Sequence, residues 1–258
     1  MTLWCERKIP GRLGLIIVGA WLIFAAKTAL SAESDSAQSM VEKADAIRLP
    51  KENYQVDVNI TSTSPGKDIE ERKYRVMSKG SENTIVMVLE PASERGQAML
   101  MKGRDLWMFL PSISQPVRLS LAQRLTGQVA NGDLARANFA GDYTAKVLKT
   151  DSINGESYQV LELIAVDRSV AYHRVIYWVR DTDSRPYKAE FYSLSDRLMK
   201  VCRYENFQKF GGQIRPSKLI MEDALKSGDQ SVLTYSNMHL KELPDKMFTK
   251  DYLKKLEF

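Results

Sequence analysis

The sequence holds few of the residues that do chemistry. Its 258 residues include two cysteines and two histidines. Cys5 sits in the N-terminal leader and Cys202 stands alone, so no intramolecular disulfide forms once the leader is removed. His173 and His239 have no Cys or His at metal-ligand spacing, and the chain has no GxSxG, HExxH, CxxC or phosphate-loop pattern. Cys202 lies in the alternating run Leu198–Tyr204, which fits a small buried strand residue better than a nucleophile. Carboxylates are many but scattered over strands and turns, as on solvated faces. A hydrolase or isomerase is therefore the least supported class, and no cofactor is implied.

Long apolar runs are equally scarce. The longest, Leu13–Ala26, has 14 residues, short of the about 20 a spanning helix needs. Arg7, Lys8 and Arg12 precede it and Ala29-Leu30-Ser31-Ala32 follows, so Met1–Ala32 reads as a secretory signal cleaved after Ser31 or Ala32. A retained N-terminal anchor is the alternative. The leader carries a net +3 from Arg7, Lys8, Arg12 and Lys27 against Glu6, which leaves +2 of the total +5 on residues 33–258. With so little excess charge, nucleic acid is not an expected partner. Residues 33–258 fit one β-rich domain in an exported protein.

What the chain does have is an apolar centre, Gly96–Tyr143. Gln97, Met99 and Met101 share one strand face, with Ala98, Leu100 and Lys102 on the other. Lys102-Gly103-Arg104-Asp105 turns the chain, and Leu106–Leu110 returns it with Trp107 and Phe109 opposite Leu106, Met108 and Leu110. A hairpin apolar on nearly every position is covered on both faces, or lines a cavity with one of them. Pro111 ends it. The stretch from there to Tyr143 has no strand pattern and is long for a connection within a domain, as lids and binding loops are. Ser120–Leu125 and Asp133–Phe139 are its helical stretches.

Elsewhere, Ser36–Ile47 spaces Met40, Val41, Ala44 and Ile47 as an amphipathic helix. Strands are predicted at Tyr54–Thr63, Ile69–Ser78, Asn83–Glu90, Gln97–Lys102 and Leu106–Leu110. After the centre they follow at Ala145–Ser152, Glu156–Val166, Val175–Asp181, Tyr187–Ser193, Met199–Phe207, Ile214–Asp223 and Ser231–Leu240. Short turns such as Asn154-Gly155 join most of them as antiparallel hairpins. About a dozen strands in meander order form one large, strongly curved sheet or a barrel. Arg197 and Lys200 read as solvent-facing.

The strands around Met87, Leu89, Tyr177 and Trp178 are again apolar on both faces. Four of the ten methionines beyond the leader fall within Met87–Met108. Two readings stand: Met and aromatic groups fill an irregular core, or adaptable Met side chains line a cavity for a flexible apolar guest. In the central segment Leu121, Leu125, Leu134, Phe139 and Tyr143 interleave with charges, as in a flap over such a cavity. Its Arg118, Arg124 and Arg136 either offer paired donors to a lipid phosphate or are ordinary solvated charge.

Five stretches in order, GQAMLMKGRDLWMFLPS (96–112), VRLSLAQRLTGQVANGDLARANFAGDY (117–143), INGESYQVLEL (153–163), AYHRVIYWVRDTDSRPYKAEFYS (171–193) and MFTKDYLKKL (247–256), resemble the outer-membrane lipoprotein-sorting family, the LolA-like group of Gram-negative periplasms. The matching positions are Gly96, Trp107, Pro111, Asn138, Phe139, Asp142, Tyr143, Trp178, Pro186, Lys188, Phe248 and Tyr252. The long Arg118–Tyr143 stretch departs from the family's best-known chaperones. The resemblance implies a mainly β fold, a strongly curved, incomplete antiparallel β-barrel with short α-helices over a hydrophobic cavity for acyl chains. It further implies a periplasmic, non-enzymatic carrier of lipid or lipoprotein acyl chains that touches membranes transiently and receives cargo from an inner-membrane transporter. A lipid sensor or scaffold signalling to a membrane partner is the alternative. The expected cavity residues are Met87, Leu89, Met99, Met101, Trp107, Phe109, Phe139, Tyr143, Tyr177 and Trp178, with Arg118, Arg124 and Arg136 at the mouth.

Overall fold

The computed structural model describes residues 1–2, 36–113, 115–136, 138–210 and 212–254. Apart from Met1 and Thr2, the leader read as a signal lies outside them. Among the described residues thirteen strands form one antiparallel sheet: β1 (Tyr54–Thr63), β2 (Glu70–Lys79), β3 (Asn83–Glu90), β4 (Ala98–Lys102), β5 (Asp105–Phe109), β6 (Val117–Leu119), then β9 (Tyr143–Ile153), β10 (Glu156–Ala165), β11 (Arg174–Arg180), β12 (Pro186–Tyr192), β13 (Leu198–Phe210), β14 (Gln213–Asp223) and β15 (Gln230–Leu240). Chain neighbours are sheet neighbours, as hairpin turns dictate, and β1 also pairs with β15. The sheet therefore has its first and last strands at its middle and β6 and β9 as free edges. It is not a closed barrel.

The segment joining those two edges crosses the sheet's inner face. It contains a two-stranded ribbon, β7 (Arg124–Thr126) with β8 (Val129–Ala130), and two short helices, α2 (Asn131–Ala135) and α3 (Phe139–Asp142). This corrects two expectations: 120–125 is a turn leading into a strand, and the helix expected over 133–139 is broken. The break lies at Arg136, whose extended backbone (φ −137°, ψ 100°) lets its guanidinium reach Asp142. Gly127 lies at the ribbon's tip with φ +49° and touches the sheet so closely that an added Cβ would lie 2.1 Å from Ser62 Oγ and 2.3 Å from Ser231 Oγ. Only glycine fits there. Gln128 N donates to Ser231 Oγ (2.9 Å), which pins the tip to the β1–β15 seam.

Helix α1 (36–48) lies on the same face. Ala37, Val41 and Ala44 are fully buried at i, i+4, i+7 spacing, the stripe an amphipathic helix buries. Its last carbonyls are capped by Arg215, whose Nη1 donates to Ala46 O (2.6 Å) and Ile47 O (3.2 Å).

Two-sided apolarity has a simple cause: both faces are covered, by different parts of the chain. Alternation turns Val86, Val88, Met99, Met101 and Leu106 to the inner face, where α1 and the central segment cover them. It turns Met77, Ile85, Met87, Ala98 and Leu100 outward, where they pack with Leu243, Phe248 and Leu253 from the C-terminal stretch that ends in α4 (Lys250–Leu253). Gly96 (φ +95°) allows Pro111 to pack where its side chain would be, since a Cβ would sit 2.9 Å from the proline ring.

Candidate ligand-binding site

The inner face is aromatic and enclosed. Phe139 on α3 stands edge-on to Tyr143 (5.5 Å between ring centroids), Tyr177 (5.3 Å) and Phe191 (6.3 Å), and Tyr172 packs on Phe191 at 4.6 Å. Edge-to-face geometry is what ring quadrupoles favour. Arg48, the last residue on the apolar stripe of α1, lays its guanidinium 4.1 Å from the Phe139 ring centre. Between Arg48, Phe139, Tyr143, Phe191, Tyr204 and Tyr235 a cavity of about 40 Å³ remains, with Tyr177 behind Phe139. That admits a water or two, far below the roughly 300–1,000 Å³ of small-molecule pockets. The site is shut.

Polar contacts close it. Gln38 on α1 donates from Nε2 to Ala140 O (2.7 Å) and Tyr143 O (3.1 Å) and accepts from Ala145 N (3.0 Å). Asp45 accepts from Ala140 N (2.8 Å) and from Arg48 Nη1 (2.9 Å). Burial pushes the Asp45 carboxyl up to about 6, against the pull of Arg48 and the Ala140 amide. Beyond this contact, between α1 and Leu134–Ala140, a cleft of about 470 Å³ opens, lined by Leu49, Pro50, Tyr54, Ser78, Thr84 and Asn138 among others.

The central segment is held from its other side by buried charge. Arg136 gives Nε and Nη2 to the two Asp142 oxygens (2.6 and 2.8 Å) and Nη1 to Gly103 O (2.7 Å) and Glu82 (3.1 Å). Arg104 adds a second contact to Asp142 (2.8 Å). Lys200, expected at the surface, is buried: Asp133 of α2 lies over it as an ion pair, Gln128 O accepts from it (3.0 Å), and Tyr172 Oη donates to the same Asp133 (3.0 Å). Its parity with Cys202 and Tyr204, both inward, carried this signal in the sequence. Burial pushes the Cys202 thiol up to about 12, which leaves it protonated and inert. Among the described residues no group of His, Cys, Asp and Glu is arranged to hold a metal ion, and no helix is long and apolar enough to cross a membrane.

The expected cavity residues thus divide between the faces. Met99, Met101, Phe139, Tyr143 and Tyr177 lie in the inner core, where Phe139 and Tyr143 line the remaining space. Met87, Trp107 and Phe109 pack on the outer face under the C-terminal stretch, with Lys250 Nζ 4.2 Å from the Trp107 ring centre. Leu89, half-buried, has the parity of Met87. Trp178 is also outward, beside Tyr158, Val160 and Ile176, donating to Asp151 (3.2 Å) with Lys188 Nζ 3.8 Å from its ring centre. Among the mouth arginines, Arg118 and Arg124 are exposed, Arg118 pairing with Asp105, whereas Arg136 is committed to its internal acceptors. The alternation is right in each strand. What differs is the cover: the C-terminal stretch lies over Met87 and Trp107, and Trp178 packs among side chains of its own and neighbouring strands.

The geometry has close parallels among solved structures. A LolA superfamily protein from Nitrosomonas europaea is 62% identical, with 84% of this chain and 98% of that chain aligned at a TM-score of 0.81. The chain belongs to the LolA superfamily. A putative outer membrane lipoprotein-sorting protein domain from Vibrio parahaemolyticus (20% identity, TM-score 0.73, 86% of this chain and 99% of that) and a DUF1329 family protein from Desulfovibrio piger (20%, 0.75, 86% and 99%) share the LolA superfamily fold. A family model described as "uncharacterized protein" matches residues 80–255. No match is found among the curated proteins.

Proposed function

We propose that this LolA superfamily member is a periplasmic carrier that takes lipid or lipoprotein acyl chains into its inner face and moves them between the inner and outer membranes. The observation that carries the reading is the enclosed aromatic face, covered by a helix and a segment that are not strands of the sheet and so can part without breaking it. In this reading Met1–Ala32 is a cleaved export signal, residues 33–258 are the carrier domain, and cargo arrives from an inner-membrane transporter. The scarcity of catalytic side chains supports carriage over chemistry.

The energetics suit it. At roughly 0.8 kcal/mol per CH₂, a sixteen-carbon chain exposes about 12 kcal/mol of apolar cost to water. A carrier must cover that chain and still release it. Loading separates α1 from α3, which breaks the Gln38 and Asp45 contacts and lifts Arg48 from Phe139, while the Arg136 and Lys200 networks keep α2 and α3 on the sheet. The 470 Å³ cleft beside Ala140 is the way in.

Native mass spectrometry of protein taken from its own periplasm tests the reading. Bound lipid, with the chain beginning at Ala32 or Glu33, is the expected result. Lipid-free protein, or protein retained in the membrane fraction with Leu13–Ala26, refutes it. On loading, amide exchange should slow across Leu119–Tyr143, apart from the Ala140 amide that Asp45 releases, and barely change around Trp178; equal exchange with and without lipid makes the central segment a fixed cover.

A further inference from the structure

The inner face is not uniformly apolar. Tyr177 is fully buried, with its ring 5.3 Å from Phe139 and 6.1 Å from Tyr204, and its hydroxyl has no hydrogen-bond partner. Buried hydroxyls without partners are rare in native proteins and call for an explanation. The Arg48 guanidinium acts on this phenol and lines the shut cavity. Among the described residues it makes one hydrogen bond, from Nη1 to Asp45. Its Nε and Nη2 remain as donors, set in the fixed fork that matches two oxygens. Tyr204 and Tyr235 flank the same space. Among the buried cations of the described residues, Lys200 is paired with Asp133 and Arg136 with Asp142, while Arg215, whose Nε also lacks a partner, is turned to the Ala46 and Ile47 carbonyls at the end of α1.

We propose that the inner face recognises the carboxylate of a single-chain lipidic acid, with Arg48 and Tyr177 as its donors. The inference rests on the carrier reading and names the class of cargo. One uncommitted guanidinium edge and one orphan hydroxyl match a single negative charge on two oxygens. They supply too few donors for a phosphate monoester, and among acids with one charge on two oxygens a single-chain carboxylic acid is smaller than a two-chain phosphodiester. Loading lifts Arg48 from Phe139 and gives both groups the partner they lack. An ester or alcohol of equal length would bury the same chain but accept only a neutral hydrogen bond.

The test offers the full protein an equimolar mixture of palmitic acid, methyl palmitate and phosphatidylglycerol in nonionic micelles and reads the bound species by native mass spectrometry. The acid should be favoured over the ester by roughly tenfold, the scale of a hydrogen bond to a charged group. Tyr177→Phe, which keeps the ring, should cut that preference severalfold, and Arg48→Lys should reduce it further. Equal uptake of acid and ester by the unaltered protein overturns the proposal and leaves the carrier reading standing. So does a preference for phosphatidylglycerol, or a preference for the acid that both variants retain. Uptake of none of the three lipids overturns the carrier reading itself.

Discussion

Asp45 joins α1 to the central segment and carries a carboxyl whose pKa burial raises from 3.8 to about 6. A carboxyl with a raised folded pKa binds its proton more tightly folded than unfolded, so its ionisation opposes folding. The opposition is absent below the unfolded pKa, grows as pH rises from about 4 to 6, and is complete above 6. At about 1.4 kcal/mol per pKa unit the whole effect is on the order of 3 kcal/mol, of which about 2 kcal/mol falls between pH 4.5 and 7. Carboxyls with lowered pKa, among them Asp57, Glu70, Asp183 and Glu222, each held down by a partner that includes an arginine, act in the opposite sense and lose their stabilisation only as pH falls below the ordinary carboxylate range. Urea unfolding followed by circular dichroism at half-unit steps from pH 4.5 to 7 should show stability rising on acidification, and Asp45→Asn should flatten the slope. The slope is the test, because the amide keeps only part of the hydrogen bonding to Arg48 and Ala140 and so shifts the absolute value too. Identical slopes in both proteins would mean that Asp45 titrates as an exposed carboxyl and that the contact between α1 and α3 is wet.

Gly127→Ala should destabilise by about 1–3 kcal/mol, the cost of forcing atoms into a filled site, and should speed amide exchange across Thr126–Ala130; unchanged exchange there would show that the ribbon tip is not seated between Ser62 and Ser231. Trp107→Asp places a charge on the outer face beneath Phe248 and Tyr252, so trypsin should cleave sooner at Lys246 and Lys250 while lipid uptake by native mass spectrometry persists; lost uptake with the C-terminal stretch still protected would put Trp107 in the ligand's path. Asp142→Asn leaves buried Arg136 with only the half-exposed Glu82 as counter-charge and should cost about 3–5 kcal/mol in urea unfolding, whereas a loss below 1 kcal/mol would mean that Glu82 and the Gly103 carbonyl suffice.

Much of this fold is legible because alternation and turn residues are local signals. The expected bounds of β1 and β3 coincide with those observed, and the other long strands differ by one to a few residues at their ends. Period-two patterning also sorts Met99 from Leu100 correctly. It cannot say what covers each face, because cover comes from distant segments: Leu243–Leu253 over Trp107, α1 over Val58 and Tyr204. The short strands β6, β7 and β8 escape notice since two or three residues show no period. Lys200 was hidden by its charge, although its parity pointed inward, and its partner Asp133 lies 67 positions away. Arg48 was readable in principle as a cation on the buried stripe of α1, at i+4 from Ala44.

The pairing of β1 with β15 sets Tyr54 opposite Leu240 and has a consequence for how the chain comes together. Every other ladder of the large sheet joins neighbours in sequence, so two meanders, β1 to β6 and β9 to β15, can zip locally while the chain is still being made. The seam between them closes a loop that spans nearly the whole chain, the slow kind of contact in folding. A chain made amino-terminus first cannot form this seam until β15 has emerged. Ser62 and Ser231, which receive the ribbon tip, lie on that seam, so the cover over the inner face finds its seat only after β15 has been made.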